Sequence, residues 1–123
     1  WNISFSSGTI LSGISSTQVI SIFVEDTAGN SNSCTFTITV VDTLAPTITC
    51  PGDQTLDING LCQYTLPDFS GITVANDFCD VTPLIYQSIG VGVTMDSINV
   101  ITMTAQDSSG NSATCTFNVI PND

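Results

Sequence analysis

Lysine, arginine and histidine are all absent from this 123-residue chain. Without a cationic side chain it has no means of neutralising a row of phosphates, so nucleic-acid binding is close to excluded. Anionic membrane surfaces repel it. No His or Lys general base exists, which removes most nucleophilic triads. Lysine isopeptide cross-links and internal Lys or Arg salt bridges are impossible. Eleven acidic residues set the formal charge at −11, and Glu25 is the only glutamate. Long apolar runs are missing too, so no segment reads as a membrane span. No amphipathic helical period is visible. Trp1-Asn2-Ile3-Ser4 reads as domain interior rather than as a targeting signal, which a parent chain would carry elsewhere.

What is present is a hydrophobic content of 41%, enough for a folded core. Serine and threonine are interleaved with valine and isoleucine, as suits half-buried strands. One phrase occurs twice: DTAGNSNSCTF at 26–36 and DSSGNSATCTF at 107–117. The offset is constant (107 − 26 = 81) and carries Ile20 and Ile22 onto Ile101 and Met103, and Asp42 onto Asp123. A period of this length marks a tandem array of small domains. Residues 44–123 read as a complete copy. Residues 1–43 read as the second half of a preceding one, because Trp1 falls on Thr82. Such a half domain lacks the partners of its apolar faces, so either the parent chain or another chain is expected to supply them.

Period-two alternation marks the strands. Cys34, Phe36, Ile38 and Val40 alternate with threonines, and Cys115, Phe117 and Val119 repeat the pattern. Ile101, Met103 and Ala105 do the same. Asp-x-x-Gly-Asn between each strand pair predicts a hairpin turn, with Gly29 and Gly110 at positive φ. Further strands are expected at 47–50, 54–58, 61–66, 84–88 and 90–95. A tight turn is expected at Asn59-Gly60, Cys62, Tyr64 and Leu66 on one apolar face, and a long polar connection over 67–82. Many short strands with regular turns predict an all-β sandwich.

The run DTLAPTITCP (42–51), the second cysteine at Cys62, the Asp-rich stretch ending at Cys79 and AQDSSGNSATCTF (105–117) occur in order. Together they resemble the hyalin repeat (HYR) domain. The resemblance implies an immunoglobulin-like β-sandwich in tandem repeats. It also implies extracellular, cell-surface display and a role in adhesion or spacing without catalysis. Domains like this occur in giant surface adhesins of gliding Bacteroidota, of the SprB type. Phe78 stands where the family often carries Asn between Asp and Cys, which bears on any ligand role of that Asn.

Five cysteines without Cys-x-x-Cys spacing or histidine argue for disulfides rather than zinc. The four in the complete copy allow three connectivities. The sandwich that the resemblance implies sets its first and last strands side by side, favouring Cys50 with Cys115 and leaving Cys62 with Cys79. Cys34, the counterpart of Cys115, is expected to pair upstream of Trp1. Asp77 and Asp80 in the long connection, Asp107 and Asn111 in the hairpin turn, and Asp42 from the preceding copy are expected at one end of the sandwich. Such oxygens suit calcium, although Asx turns would use the same residues. No EF-hand loop is present. Thr27, Thr43 and Ser97 follow Asp and precede a hydrophobic residue, like the Bacteroidota O-glycosylation sequon. Asn2-Ile3-Ser4 is an N-linked acceptor pattern. The partners expected are neighbouring repeats, surface glycans or like filaments.

Overall fold

The computed structural model describes residues 16–123. The chain divides into two units, Trp1–Asp42 and Thr43–Asp123. In the first unit, β1 (Thr17–Glu25) pairs antiparallel with β2 (Ser31–Thr39). In the second, β3 (Thr47–Thr49), β4 (Gln54–Asp57), β5 (Tyr64–Thr65), β6 (Val74–Asn76), β7 (Leu84–Gln87), β8 (Thr94–Met95), β9 (Asn99–Gln106) and β10 (Ser112–Asn122) follow. The only helical element among the described residues is a 3-10 turn at Ser70–Ile72.

The second unit is a two-layer sandwich. One layer is a four-stranded sheet in the order β4-β10-β9-β7; the other is built from the pairs β3-β6 and β5-β8. Alternation drives the inner side chains of β9 and β10 into the space between the layers. Ile101, Met103, Phe117 and Val119 are buried there with Tyr64, Leu66 and Phe69. Phe69 meets Phe117 edge to face with ring centroids 5.0 Å apart, the geometry that aromatic quadrupoles favour. The Tyr64 hydroxyl donates to the Ser97 carbonyl (2.7 Å), so its one polar atom is satisfied.

The two hairpins share one register. Ile20 faces Phe36 and Ile22 faces Cys34 in the first; Ile101 faces Phe117 and Met103 faces Cys115 in the second. Gly29 and Gly110 take φ of 87° and 92°, as the turn chemistry predicts.

Several expectations need correction. The strand expected at 90–95 is formed only at Thr94–Met95. The segment 61–66 is a strand only at Tyr64–Thr65. The preceding loop is wider than a two-residue turn: Asn59 N–H donates to the Gln63 carbonyl. Its side-chain oxygen accepts from Leu61 N–H (2.8 Å) and Gln63 N–H (3.1 Å). Cys62 therefore sits in this loop at φ 59° and is exposed, while Tyr64 and Leu66 are buried. The long connection expected over 67–82 holds the 3-10 turn and β6.

The ends of the second unit lie at opposite poles. β3 pairs with β6 at Thr47–Asn76. β6 leads into the loop whose Asp80 accepts Ser108 N–H in the β9–β10 turn. The chain thus enters the sandwich at the turn pole. β10 then runs 11 residues away from it, roughly 35 Å, to leave beside Ile58, whose N–H donates to the Asn122 carbonyl.

Candidate functional site

A disulfide joins Cys50 to Cys115, with Cα atoms 5.7 Å apart and a sequence separation of 65. It binds the segment after β3 to the middle of the last strand. The same separation recurs down the strands. β4 pairs parallel with the end of β10, Gln54 opposite Val119 and Asp57 opposite Asn122. Asp53 Oδ1 accepts Asn118 N–H (2.8 Å), and Asp53 Oδ2 accepts Asn118 Nδ2–H (3.1 Å). Asp57 Oδ1 accepts Asn122 Nδ2–H (2.7 Å). One covalent and two polar cross-links therefore hold a single parallel register between the strands that begin and end the unit.

The expected Cys62–Cys79 bridge is not formed: Cys62 is a free, exposed thiol. The reason is geometric. Cys62 lies in the loop beside Asn122, while Cys79 lies next to Asp80, which holds the opposite turn. The poles are separated by about the length of β10, roughly 35 Å, whereas a disulfide needs Cα atoms within about 7 Å. Cys34 is a free, exposed thiol as well.

At the turn pole the aspartates do the same work in both copies. Asp107 Oδ1 accepts N–H groups from Ser109 (2.9 Å) and Asn111 (2.8 Å), and Oδ2 accepts Asn111 Nδ2–H (2.8 Å). Asp26 makes the equivalent bonds to Ala28, Asn30 and the Asn30 side chain. Asp77 Oδ1 accepts Cys79 N–H and Asp80 N–H, both at 2.8 Å. Asp80 spans its own loop to Thr82 N–H and the hairpin to Ser108 N–H. The structure thus brings Asp77, Asp80, Asp107 and Asn111 to one pole, as expected. These bonds are those of Asx turns, and a calcium ion would have to compete with N–H donors for most of the same oxygens. Asp42 is the last residue of the first unit, and its place in a ligand set stands as a proposal.

This donor-rich setting favours ionised carboxylates. Burial works to raise the pKa of Asp107, but the side chain and backbone of Asn111, with Ser109 and Gly110 N–H groups, outweigh it and hold the value down. The Asn30 side chain, then its backbone, lowers that of Asp26. Asn118 N–H lowers that of Asp53, and Thr82 and Ser108 N–H groups lower that of Asp80. Groups whose folded value is depressed contribute stability that is fully present above the unfolded value, 3.8 for Asp, and lost as pH falls through the folded one. Thermal unfolding should accordingly show no histidine step between pH 5.5 and 8, then a falling Tm as pH drops below about 4. Added salt at pH 7 should raise Tm, since every side-chain charge has one sign. A Tm that climbs steadily from pH 4 to pH 2 would contradict this assignment.

Thr27, Thr43 and Ser97 are all exposed, as an O-glycan acceptor must be; Asn2 and Trp1 lie outside the described residues. Sequence reasoning missed the Asp53–Asn118 link, which no local pattern announces. It also missed the exposure of Phe78 (95%) and Val81 (97%). Phe78 borders an open groove of about 380 Å³ with Leu44, Ala45, Thr47, Asn76 and Asp77.

Residues 41–120 match the profile of the HYR domain. The chain belongs to the HYR family. The sandwich of the second unit is accordingly an immunoglobulin-like HYR fold, bridged between its first and last strands. Curated relatives include the "Serine-rich adhesin for platelets" of Staphylococcus aureus, 34% identical over 118 residues and covering 81% of this chain and 5% of that protein. The protein of the same name from strain MRSA252 is 34% identical over 108 residues, covering 81% of this chain and 8% of its own length. This HYR chain therefore spans under a tenth of the relatives it matches, and it is similar to a region of a bacterial adhesin.

Proposed function

We propose that this chain is a repeat segment of a long extracellular adhesin displayed at a bacterial surface. It is a non-catalytic spacer that projects a binding tip and bears tension. The observation that carries this reading is the bridge between the first and last strands of a unit whose ends leave from opposite poles. A domain so built suits a link in a chain. The similarity to a staphylococcal adhesin supports surface display. Likeness to the SprB-type adhesins of Bacteroidota, neighbouring repeats and like filaments as partners, calcium at the turn pole and O-glycans at Thr27, Thr43 and Ser97 all belong to this proposal.

A second reading, a glycan- or partner-binding module, draws on the exposed Phe78 beside its groove. The two separate in one experiment. The 123-residue protein is applied to glycan arrays with calcium and with chelator, and adhesion of producing cells is compared between full-length and repeat-shortened parents. A spacer binds nothing on the array, yet its shortening weakens adhesion. Chelator-sensitive array binding, with adhesion indifferent to repeat number, would replace the spacer by the module.

A further inference from the structure

The loop between β4 and β5 brings an amide carbon and a backbone nitrogen into reactive company. Asn59 stands directly before Gly60. Its side-chain oxygen Oδ1 accepts N–H groups from Leu61 (2.8 Å) and Gln63 (3.1 Å). The first of these bonds closes an Asx turn, which folds the side chain back along the backbone toward the Gly60 nitrogen. Together the two donors draw electron density from Cγ. They also face the oxygen on which negative charge develops when a nucleophile adds to that carbon. Gly60 N–H has no acceptor among the described residues, so its nitrogen gives up no hydrogen bond in attacking. Space around it is open: nothing lies within 4 Å of where a Cβ on Gly60 would stand. Both residues are exposed, so water and hydroxide reach them.

We propose that Asn59 and Gly60 form a self-modification site, at which the fold itself promotes closure of a succinimide. The Gly60 nitrogen loses its proton to water or hydroxide and attacks Asn59 Cγ. A C–N bond forms, the bond from Cγ to the side-chain NH2 breaks, and ammonia leaves with a proton taken from solvent. Water then adds to one of the two ring carbonyls, a ring C–N bond breaks, and the product is aspartate or isoaspartate. The chain has no lysine, so no side-chain amine of its own competes with that water. Asn30 and Asn111, which follow the turn glycines, are held differently. Their side-chain N–H groups donate to Asp26 and Asp107, both at 2.8 Å, which ties down the leaving group and sets a negative charge beside it. The residues after them, Ser31 and Ser112, begin β2 and β10, so the nitrogen that would attack is held in a strand. The product matters to the pole where β10 leaves. Aspartate keeps an acceptor for Leu61 and Gln63 and adds a negative charge to a chain without cationic side chains. Isoaspartate routes the backbone through Cβ and Cγ, which lengthens the loop and takes its closing acceptor out of the side chain. The bond from Asn59 N–H to the Gln63 carbonyl (2.7 Å) then loses its register. This inference is independent of adhesion, and it holds for a spacer and for a binding module alike.

The test incubates the folded 123-residue protein at neutral pH beside a synthetic peptide of residues 57–65, which serves as the unfolded reference. Peptide mass mapping follows the conversion of each asparagine to acid. Hydroxylamine traps the succinimide by cutting the chain after residue 59, which yields fragments 1–59 and 60–123 once the Cys50–Cys115 bridge is reduced. Asn59 should convert faster in the folded protein than in the peptide, by about tenfold, because its two donors are already in place. Asn30 and Asn111 should remain amides over the same time. Gly60→Ala, which the open space accommodates, should leave Tm unchanged and slow conversion by about tenfold, because a side chain on the attacking residue hinders the close approach of nitrogen to carbon. A folded rate at or below that of the peptide would overturn the inference whatever the variant does. So would conversion of Asn30 or Asn111 at the rate of Asn59, or an unchanged rate in a Gly60→Ala protein of unchanged Tm.

Discussion

Replacing Cys50 and Cys115 together by serine lowers the melting temperature of the second unit by about 15–30 °C. The bridge closes a loop of 65 residues, and the chain-entropy relation for a loop of that size gives about 4 kcal/mol. A domain this small has on the order of 4–12 kcal/mol of stability in all. Each kcal/mol moves its Tm by about 4–8 °C. The core alone is modest: the fully buried large side chains are Leu66, Ile101, Met103 and Val119. Small domains of this kind rely on a covalent staple. Cys62→Ser, in an exposed loop, should change stability by less than about 0.5 kcal/mol. Differential scanning calorimetry of both variants against the parent separates them. Equal, small effects would mean that the bridge is not the staple.

The second large effect is mechanical. When a unit is pulled by its ends, force entering before β3 reaches Cys50, crosses to Cys115 and leaves along β10. Residues 51–114 are outside that path while the disulfide stands. Only residues 43–50 and 115–123 can be drawn out, a contour of roughly 60 Å at full extension. Once the bridge is reduced the whole unit can extend, to roughly 280 Å. The segment beyond Cys115 also resists, because β4 and β10 run parallel and tension slides them past one another. The bonds from Asn118 to Asp53 and from Asn122 to Asp57 then share the load. A tension-bearing spacer gains from this a fixed length under load, and loses it under reducing conditions.

Much of this design is legible in the chain, and the illegible parts have a common cause. The hairpins, their turns and their register follow from period-two alternation and from Asp-x-x-Gly-Asn, all local signals. The convergence of Asp77, Asp80, Asp107 and Asn111 follows from hairpin geometry once the sandwich is accepted. Cys62 misleads because it alternates with Tyr64 and Leu66 and so reads as part of their strand. Asn59 breaks that strand by closing a wider loop with its side chain, and the alternation carries no sign of it. β6 is three residues long, too short for a period. Phe69 reaches the core from an Asp-rich stretch because a 3-10 turn redirects the chain. Asp68 Oδ1 accepts Ser70 N–H (2.8 Å) there, and Thr73 Oγ1–H donates to the Phe69 carbonyl (2.9 Å). The cross-links between Asp53 and Asn118 and between Asp57 and Asn122 join residues at opposite ends of the unit. Only the parallel pairing of β4 with β10 brings them together, and parallel partners leave no local trace.

Single-molecule stretching of the HYR unit, residues 43–123, flanked by reference domains and compared with and without reductant, tests the bridged load path most directly. An unfolding event of about 60 Å total contour in oxidising buffer, giving way to about 280 Å after reduction, is the result the structure predicts. A full-length extension in oxidising buffer, or a length indifferent to reductant, would contradict it.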